Sequence, residues 1–348
     1  MMEAKGLYRL LDANLNRACE GLRLLEDVAR FVLDDAALTE KIRTARHELR
    51  DAAKELPSGL LATRDVPRDF GAAYMEAPHV KTSAFVTANA RRVQEAARVL
   101  EETARYLAPA AAETFKRTRF LAYEIEKGLL QRFHLTEKVE ILNKFRLYVI
   151  VGTSHTGSRP VLEVAREAIR GGAGIIQLRE KQLPARGFLE LALLLRKVAS
   201  EAGVPLIIND RVDIAAASGA DGVHLGQEDL PVSAARRILG EAAIIGVSTH
   251  SVAEAVAAEQ DGADYIGVGP VFPPATKPGL EPKGLSLLTA VIEAVHLPVV
   301  AIGGIRPENL PSVLGTGVNR VAVVSAVAGA PDVAGNTALM LRILEGLN

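Results

Sequence analysis

Asp210 and Asp229 each stand just beyond a short apolar run, in the same stretch of chain as a cationic pair, Arg179 and Lys181. Two carboxylates leaving neighbouring strands at one rim can jointly hold Mg²⁺, which keeps several waters and completes its shell with phosphate oxygens. Gln177, Arg179 and Lys181 alternate onto one side of an extended segment, and an amide with two cations suits a phosphorylated substrate. Read singly, Asp229 caps a following helix and Asp210 pairs with Arg211. The two together beside Arg179 and Lys181 favour the metal reading.

Further along, Gly246-Val-Ser248-Thr-His250 offers a hydroxyl that could orient a ligand. The Pro/Gly-rich stretch from Gly269 to Gly279 reads as a long mobile lid, on which Thr276 and Lys277 are natural phosphate ligands. Gly303-Gly304 and Ser325 end two later apolar runs, where backbone N–H groups and a helix N-terminus can hold a phosphate. This makes two anion sites, one with metal and cations enough for a pyrophosphate and one suited to a monophosphate. No obvious strong base or nucleophile accompanies them. His224 reads as a wall or core residue, and His155 and His250 lack a neighbouring carboxylate. Such a site suits ionisation of a diphosphate ester, with capture of the cation by a bound nucleophile.

The elements that must position these residues are eight β-branched runs separated by helical segments. They are Phe145–Gly152, Gly174–Arg179, Pro205–Asp210, Gly222–Gly226, Ile244–Thr249, Tyr265–Val271, Pro298–Ile305 and Arg320–Val327. Continuous apolar runs are how buried parallel strands read. Eight βα units in roughly 200 residues predict an α/β fold, a C-terminal (β/α)8 TIM barrel, over a doubly wound open sheet.

Residues 1–136 have a different rhythm and predict an all-α domain preceding the barrel domain at 137–348. Leu15, Ala18, Leu22, Leu25, Ala29 and Val32 share one helical face. The segment Asp12–Phe31 also aligns without gaps on Thr87–Tyr106, with Asn14/Asn89, Arg17/Arg92, Glu20/Glu95, Arg23/Arg98, Glu26/Glu101 and Arg30/Arg105 identical. Each copy leads into a second helical stretch, Thr39–Leu56 and Glu113–Arg132, so two helical hairpins form a duplicated four-helix unit. The repeated Arg/Glu set reads as ion pairs on an exposed face, with a symmetric ligand or dimer surface as the alternative. Gln131–Lys144 has no Gly/Ser tract and predicts a helical or packed linker.

Composition excludes several classes. Lys plus Arg is 41 against 42 acidic residues, so no overall charge excess recruits nucleic acid or a membrane surface. The single cysteine, Cys19, excludes an internal disulfide and a multi-Cys metal site. With neither a secretory leader nor a membrane-length apolar run, the expectation is a cytoplasmic enzyme of small molecules, with homo-oligomerisation left open.

The runs Gln-Leu-Arg-Glu-Lys, Ile-Asn-Asp-Arg-Val-Asp, Asp-Gly-Val-His-Leu-Gly-Gln-Glu-Asp, Gly-Val-Ser-Thr-His, Gly-Pro-Val-Phe-Pro with Thr-Lys, and Ile-Gly-Gly-Ile together resemble thiamine-phosphate synthase. They occur in order and cover nearly all of residues 145–330. The resemblance implies condensation of 4-amino-2-methyl-5-(diphosphooxymethyl)pyrimidine with a thiazole ethyl phosphate, or its carboxylated tautomer, to give thiamine phosphate and pyrophosphate. It implies that Gln177, Leu178, Arg179, Glu180, Lys181 and Asn209 bind the pyrimidine diphosphate, and that Asp210 and Asp229 hold Mg²⁺. Ser248 contacts the pyrimidine side, Thr276 and Lys277 meet the migrating phosphates, and Gly304, Val324 and Ser325 bind the thiazole phosphate. Arg179, Lys181, Ser248 and Lys277 are the catalytic set. The family's lid reads Thr-x-Thr-Lys, whereas Pro274 takes the first Thr position here, so one hydroxyl ligand is missing.

The helical region resembles an extension of some family members, and related modules are linked to phosphorylation of the pyrimidine monophosphate. The charged turn Ala62–Gly71 could hold phosphate and metal for such a step, although no ATP motif is visible. Two other readings compete with the synthase. A thiazole tautomerase would need an acid/base residue and no metal pair, and a precursor sensor would not need the intact metal and cation set.

Overall fold

The computed structural model describes residues 2–63, 82–273 and 282–346. The chain divides into two compact units, Met1–Leu135 and Thr136–Asn348. Among the described residues no helix is long and apolar enough to cross a membrane.

The first unit is built from α1 (Met2–Phe31), α2 (Ala36–Ala52), α3 (Thr82–Leu107) and α4 (Pro109–Lys144), the last running on beyond the unit's end. Asp35 starts α2 by accepting the Leu38 N–H at 2.9 Å, satisfying one free donor of the first turn. Ala18, Leu22, Leu25 and Ala29 of the expected apolar face are buried against Ile42, Leu49, Val93, Leu100, Phe115 and Ile125. Val32 is instead 57% exposed, because α1 ends at Phe31 and Val32 leaves the face.

The duplicated carboxylates Glu26 and Glu101 correct the expectation of an exposed ion-paired face. They are only 2% and 1% exposed. Each is braced by arginines of the next helix: Glu26 by Arg43 and Arg46 of α2, and Glu101 by Arg119 of α4. Burial opposes the charge of Glu101, but Arg119, Arg105 and Arg98 outweigh it and hold the carboxyl below its ordinary range. Glu26 is held low in the same sense, by Arg43 and Arg46 against burial. A buried carboxylate needs its cations, which gives a physical reason for the same residues in both copies.

The second unit is a closed parallel barrel in the order β1 to β8. Its strands are β1 (Leu147–Val151), β2 (Ile175–Leu178), β3 (Leu206–Asn209), β4 (Gly222–Leu225), β5 (Ile244–Thr249), β6 (Tyr265–Val268), β7 (Val299–Ile302) and β8 (Val321–Val323). A helix lies between each strand and the next, and another follows β8. Alternation sorts the strand residues into two cores. Leu147, Val149 and Val151 face the helices, while Tyr148, Ile150, Ile207, Tyr265 and Val300 fill the lumen. All the strands except β5 end before their apolar runs do, β8 by the widest margin. Beyond β6, Pro270 has no N–H to give a ladder. After β8 the chain turns at Val324, whose carbonyl accepts the N–H groups of Val327 and Ala328 at 3.2 and 2.7 Å.

Candidate active site at the barrel rim

The lumen opens into a cavity of about 1080 Å³, open mouth included, among whose lining residues are Gln177, Arg179, Asn209, Ser248, Gly304, Val324 and Ser325. The odd–even phase of β2 explains the choice: Gln177 and Arg179 reach the cavity, whereas Leu178 packs fully buried between strand and helices. The side chain of Leu178 therefore faces away from the cavity.

Glu180 also departs from expectation. It is 6% exposed and accepts the Thr153 N–H at 2.6 Å and the Thr153 hydroxyl at 2.7 Å, tying the loop after β1 to the end of β2. Its acceptor capacity serves the fold, and Arg179 is left to face the cavity. His155, carried on that tied loop, sets its Nε2 at 3.1 Å from Arg179 Nη1.

Asp210 follows β3 with φ +61°, a left-handed conformation that Asp tolerates better than most residues. Its N–H extends the ladder to the His224 carbonyl at 2.8 Å. The Asp210 carboxylate takes Lys181 as its ion-pair partner, while Arg211 turns to Asp213. Asp229 accepts the Gly226 N–H at 2.7 Å, and the helix that follows, Val232–Leu239, has Pro231 at its N-cap and no side-chain cap. Neither aspartate thus takes the bland role its local sequence offered. Burial pushes the Asp229 carboxyl up, with the facing Asp210 adding to the rise and the Gly226 N–H and Lys181 opposing it. The two carboxylates therefore sense one another at a single rim position, beside one ammonium. Among the described residues no group of three or more His, Cys, Asp or Glu stands ready to hold a metal. This chain's own share of a divalent site would be two carboxylates, a set that fits Mg²⁺ completed by phosphate oxygens.

The opposite pole is neutral. Gly303 and Gly304 have φ +99° and +63°, and a Cβ on Gly304 would fall 2.7 Å from the Pro273 carbonyl oxygen. Only glycine fits there without strain. The Gly304 carbonyl is occupied by Asn309 Nδ2 at 2.9 Å, which fixes the loop. Ser325 lies in the turn after β8, and the next helix starts only at Val333, so its anchor is a turn rather than the helix N-terminus expected.

Three lining residues were not singled out as functional by sequence. Tyr148, Tyr265 and His224 project into the lumen and form a hydrogen-bonded row with Gln177 and Ser248. Gln177 Nε2 donates to the Tyr148 hydroxyl, and Tyr265 links that hydroxyl to His224 Nδ1. His224 Nε2 meets Ser248 Oγ, and every step is 2.9 Å. Gly246 makes room for this row, since a Cβ there would lie 2.1 Å from the Tyr265 ring. The available signal was an aromatic residue at an inward position on each of two strands. The expected lid residues Thr276 and Lys277, with Pro274, lie outside the described residues, as does the N-terminal turn from Arg64 to Gly71.

The cavity of this closed (β/α)8 barrel is lined by Arg179 and by Gly304 and Ser325, while Lys181, Asp210 and Asp229 are not among its lining residues; a rim of this kind is where such barrels handle phosphate. The family described as thiamine monophosphate synthase matches residues 147–327. The thiamine-phosphate synthase of Gloeobacter violaceus is 41% identical over 99% of both chains. That of Rhodopirellula baltica is 39% identical over 94% of this chain and 89% of its own. A solved thiamine phosphate pyrophosphorylase from Pyrococcus furiosus is 44% identical, with TM-score 0.54, over 59% of this chain and 98% of its own. The chain belongs to the thiamine-phosphate synthase family. It is a transferase with thiamine-phosphate synthase activity. Residues 9–128 match a second family, described as the ThiD2 family.

Proposed function

We propose that the two poles divide the two substrates. The pyrimidine diphosphate lies along β2 to β4, against Gln177, Arg179, Lys181 and Asn209, with Mg²⁺ held by Asp210 and Asp229. The thiazole phosphate lies against Gly304, Val324 and Ser325. The observation that carries this reading is the shared rim position of Asp210 and Asp229 beside Lys181.

Loss of pyrophosphate breaks the bond between the pyrimidinylmethyl carbon and the diphosphate oxygen. The thiazole nitrogen then forms the new bond to that carbon. Neither step needs a strong protein base, which agrees with a cavity whose histidines are engaged by Arg179, Tyr265, Ser248 and the Gly269 carbonyl. Arg179 offers a planar fork to phosphate oxygens and Lys181 a compact charge, both fixed before the reaction begins. Bound Mg²⁺ would supply further charge to the departing pyrophosphate. Thr276 and Lys277 complete the set as phosphate ligands, and Ser248 holds the pyrimidine.

The test is the double variant Asp210→Asn plus Asp229→Asn. Asn tolerates the left-handed backbone of residue 210, so the fold is kept. Turnover should fall by about a hundredfold or more with an unchanged circular dichroism spectrum. Wild-type rates at ordinary Mg²⁺ would remove both residues from the metal role.

A further inference from the structure

The row Gln177–Tyr148–Tyr265–His224–Ser248 crosses the barrel floor on five different strands, and its hydrogens can be counted. Each hydroxyl carries one hydrogen and a neutral imidazole one N–H. Burial pushes both phenols far above their ordinary range, so both keep their hydrogens. Gln177 donates its amide N–H to Tyr148. Tyr148 then gives its own hydrogen to Tyr265, and Tyr265 gives its hydrogen to His224 Nδ1. An accepting Nδ1 leaves the imidazole hydrogen on Nε2, which donates to Ser248 Oγ. The Ser248 hydrogen is thereby left for an acceptor in the cavity. Turning the Gln177 amide over would reverse all the steps and make Ser248 an acceptor.

We propose that this row sets the polarity of the pyrimidine subsite: it fixes His224 as the Nε2–H tautomer and makes Ser248 a donor to an unprotonated ring nitrogen of the ligand. The proposal rests on the reading that places the pyrimidine between Gln177 and Ser248. It carries a chemical consequence. An unprotonated aminopyrimidine is electron-rich and stabilises the positive charge left when pyrophosphate departs, whereas a ring-protonated one opposes it. Tyr148, Tyr265 and His224 are positioning residues here, acting through Ser248 and Gln177.

The experiment uses the full chain with ¹⁵N-labelled histidine, the His224 signals being assigned by their loss in His224→Gln. Two-bond proton–nitrogen spectra separate the two neutral tautomers. Wild type should show Nε2–H at His224 without any substrate. Tyr265→Phe removes the donor to Nδ1, so the tautomer should become mixed. In the same variant KM for the pyrimidine diphosphate should rise about tenfold, the worth of one polar contact, with KM for the thiazole phosphate unchanged. Tyr148→Phe cuts the row one step earlier and serves should Tyr265→Phe not fold. An Nδ1–H or doubly protonated His224 in wild type overturns the polarity, even in a fully active enzyme. An unaltered tautomer and KM in both Phe variants overturns the coupling. A Ser248→Ala variant with unchanged KM for the pyrimidine diphosphate would instead overturn the placement of the pyrimidine, whatever the tautomer, and the ligand part of the proposal with it.

Discussion

Arg179 donates from Nη1 to His155 Nε2 across 3.1 Å, so the guanidinium that lines the cavity is aimed by a neutral imidazole from the loop after β1. A protonated His155 could not accept that bond. Burial pushes the His155 pKa down, the Arg179 charge pushes it further, and Glu180 opposes both.

The sign of the resulting pH dependence is fixed. The folded pKa lies below the ordinary imidazole value of 6.5, so on acidification the unfolded chain takes up the proton first. Wild type should lose stability as pH falls from about 6.5 toward the lower folded value. His155→Gln keeps an acceptor without a titration and should lose less over that window. Urea midpoints of the two proteins at a series of pH values measure this, and parallel curves would contradict it.

Glu180 braces the loop after β1 through Thr153. Glu180→Ala removes both acceptors of Thr153 from a buried carboxylate and should cost about 2–3 kcal/mol, read as a lower denaturation midpoint. A rise in KM for the pyrimidine diphosphate with no loss of stability would return Glu180 to the substrate site.

Gly304→Ala tests the neutral pole. Its positive φ and the nearby Pro273 carbonyl make an added Cβ strained by about 1–3 kcal/mol. KM for the thiazole phosphate should rise several-fold while that for the pyrimidine diphosphate stays close to wild type. Equal increases in both would dissolve the division into two poles.

The braced carboxylates of the helical unit make a prediction in acid. The pKa values of Glu26 and Glu101 are both held below 4.5 in the fold. Their stabilising contribution is complete above that value and is lost as pH falls through the lower folded values. Glu101→Gln should therefore reduce stability at neutral pH and flatten its decline in acid. Thermal melts of the full chain between neutral pH and pH 3 report the difference. An unchanged melting temperature at pH 7 would mean that the braces carry no stability.

The barrel was legible because eight apolar runs of the right length alternate with helical segments, and each observed strand falls inside its run. The end of β8 was not legible. Residues 324–327 are as apolar as a strand, and only the backbone turn at Val324 distinguishes them. Arg179, Lys181, Asp210 and Asp229 stood out in the sequence as charged residues following β2, β3 and β4, and the structure sets Lys181 against Asp210 and Asp210 against Asp229. Leu178 and Glu180 sit within the same motif as the cavity residues Gln177 and Arg179 but are buried away from the lumen, and a motif does not separate the two faces of a strand. The Tyr148–Tyr265 contact joins residues far apart in sequence, so closure of the barrel is what brings them together. In the helical unit, the repeat showed which residues were duplicated without showing that Glu26 and Glu101 were buried.

The central claim is that one phosphate group leaves from the charged pole while the other stays bound to product. Phosphorus NMR of the full chain with both substrates tests it directly, with Mg²⁺ and then with excess EDTA. The account predicts equal amounts of pyrophosphate and thiamine phosphate in the presence of Mg²⁺ and neither in EDTA. Release of orthophosphate, or equal turnover in EDTA, would contradict it.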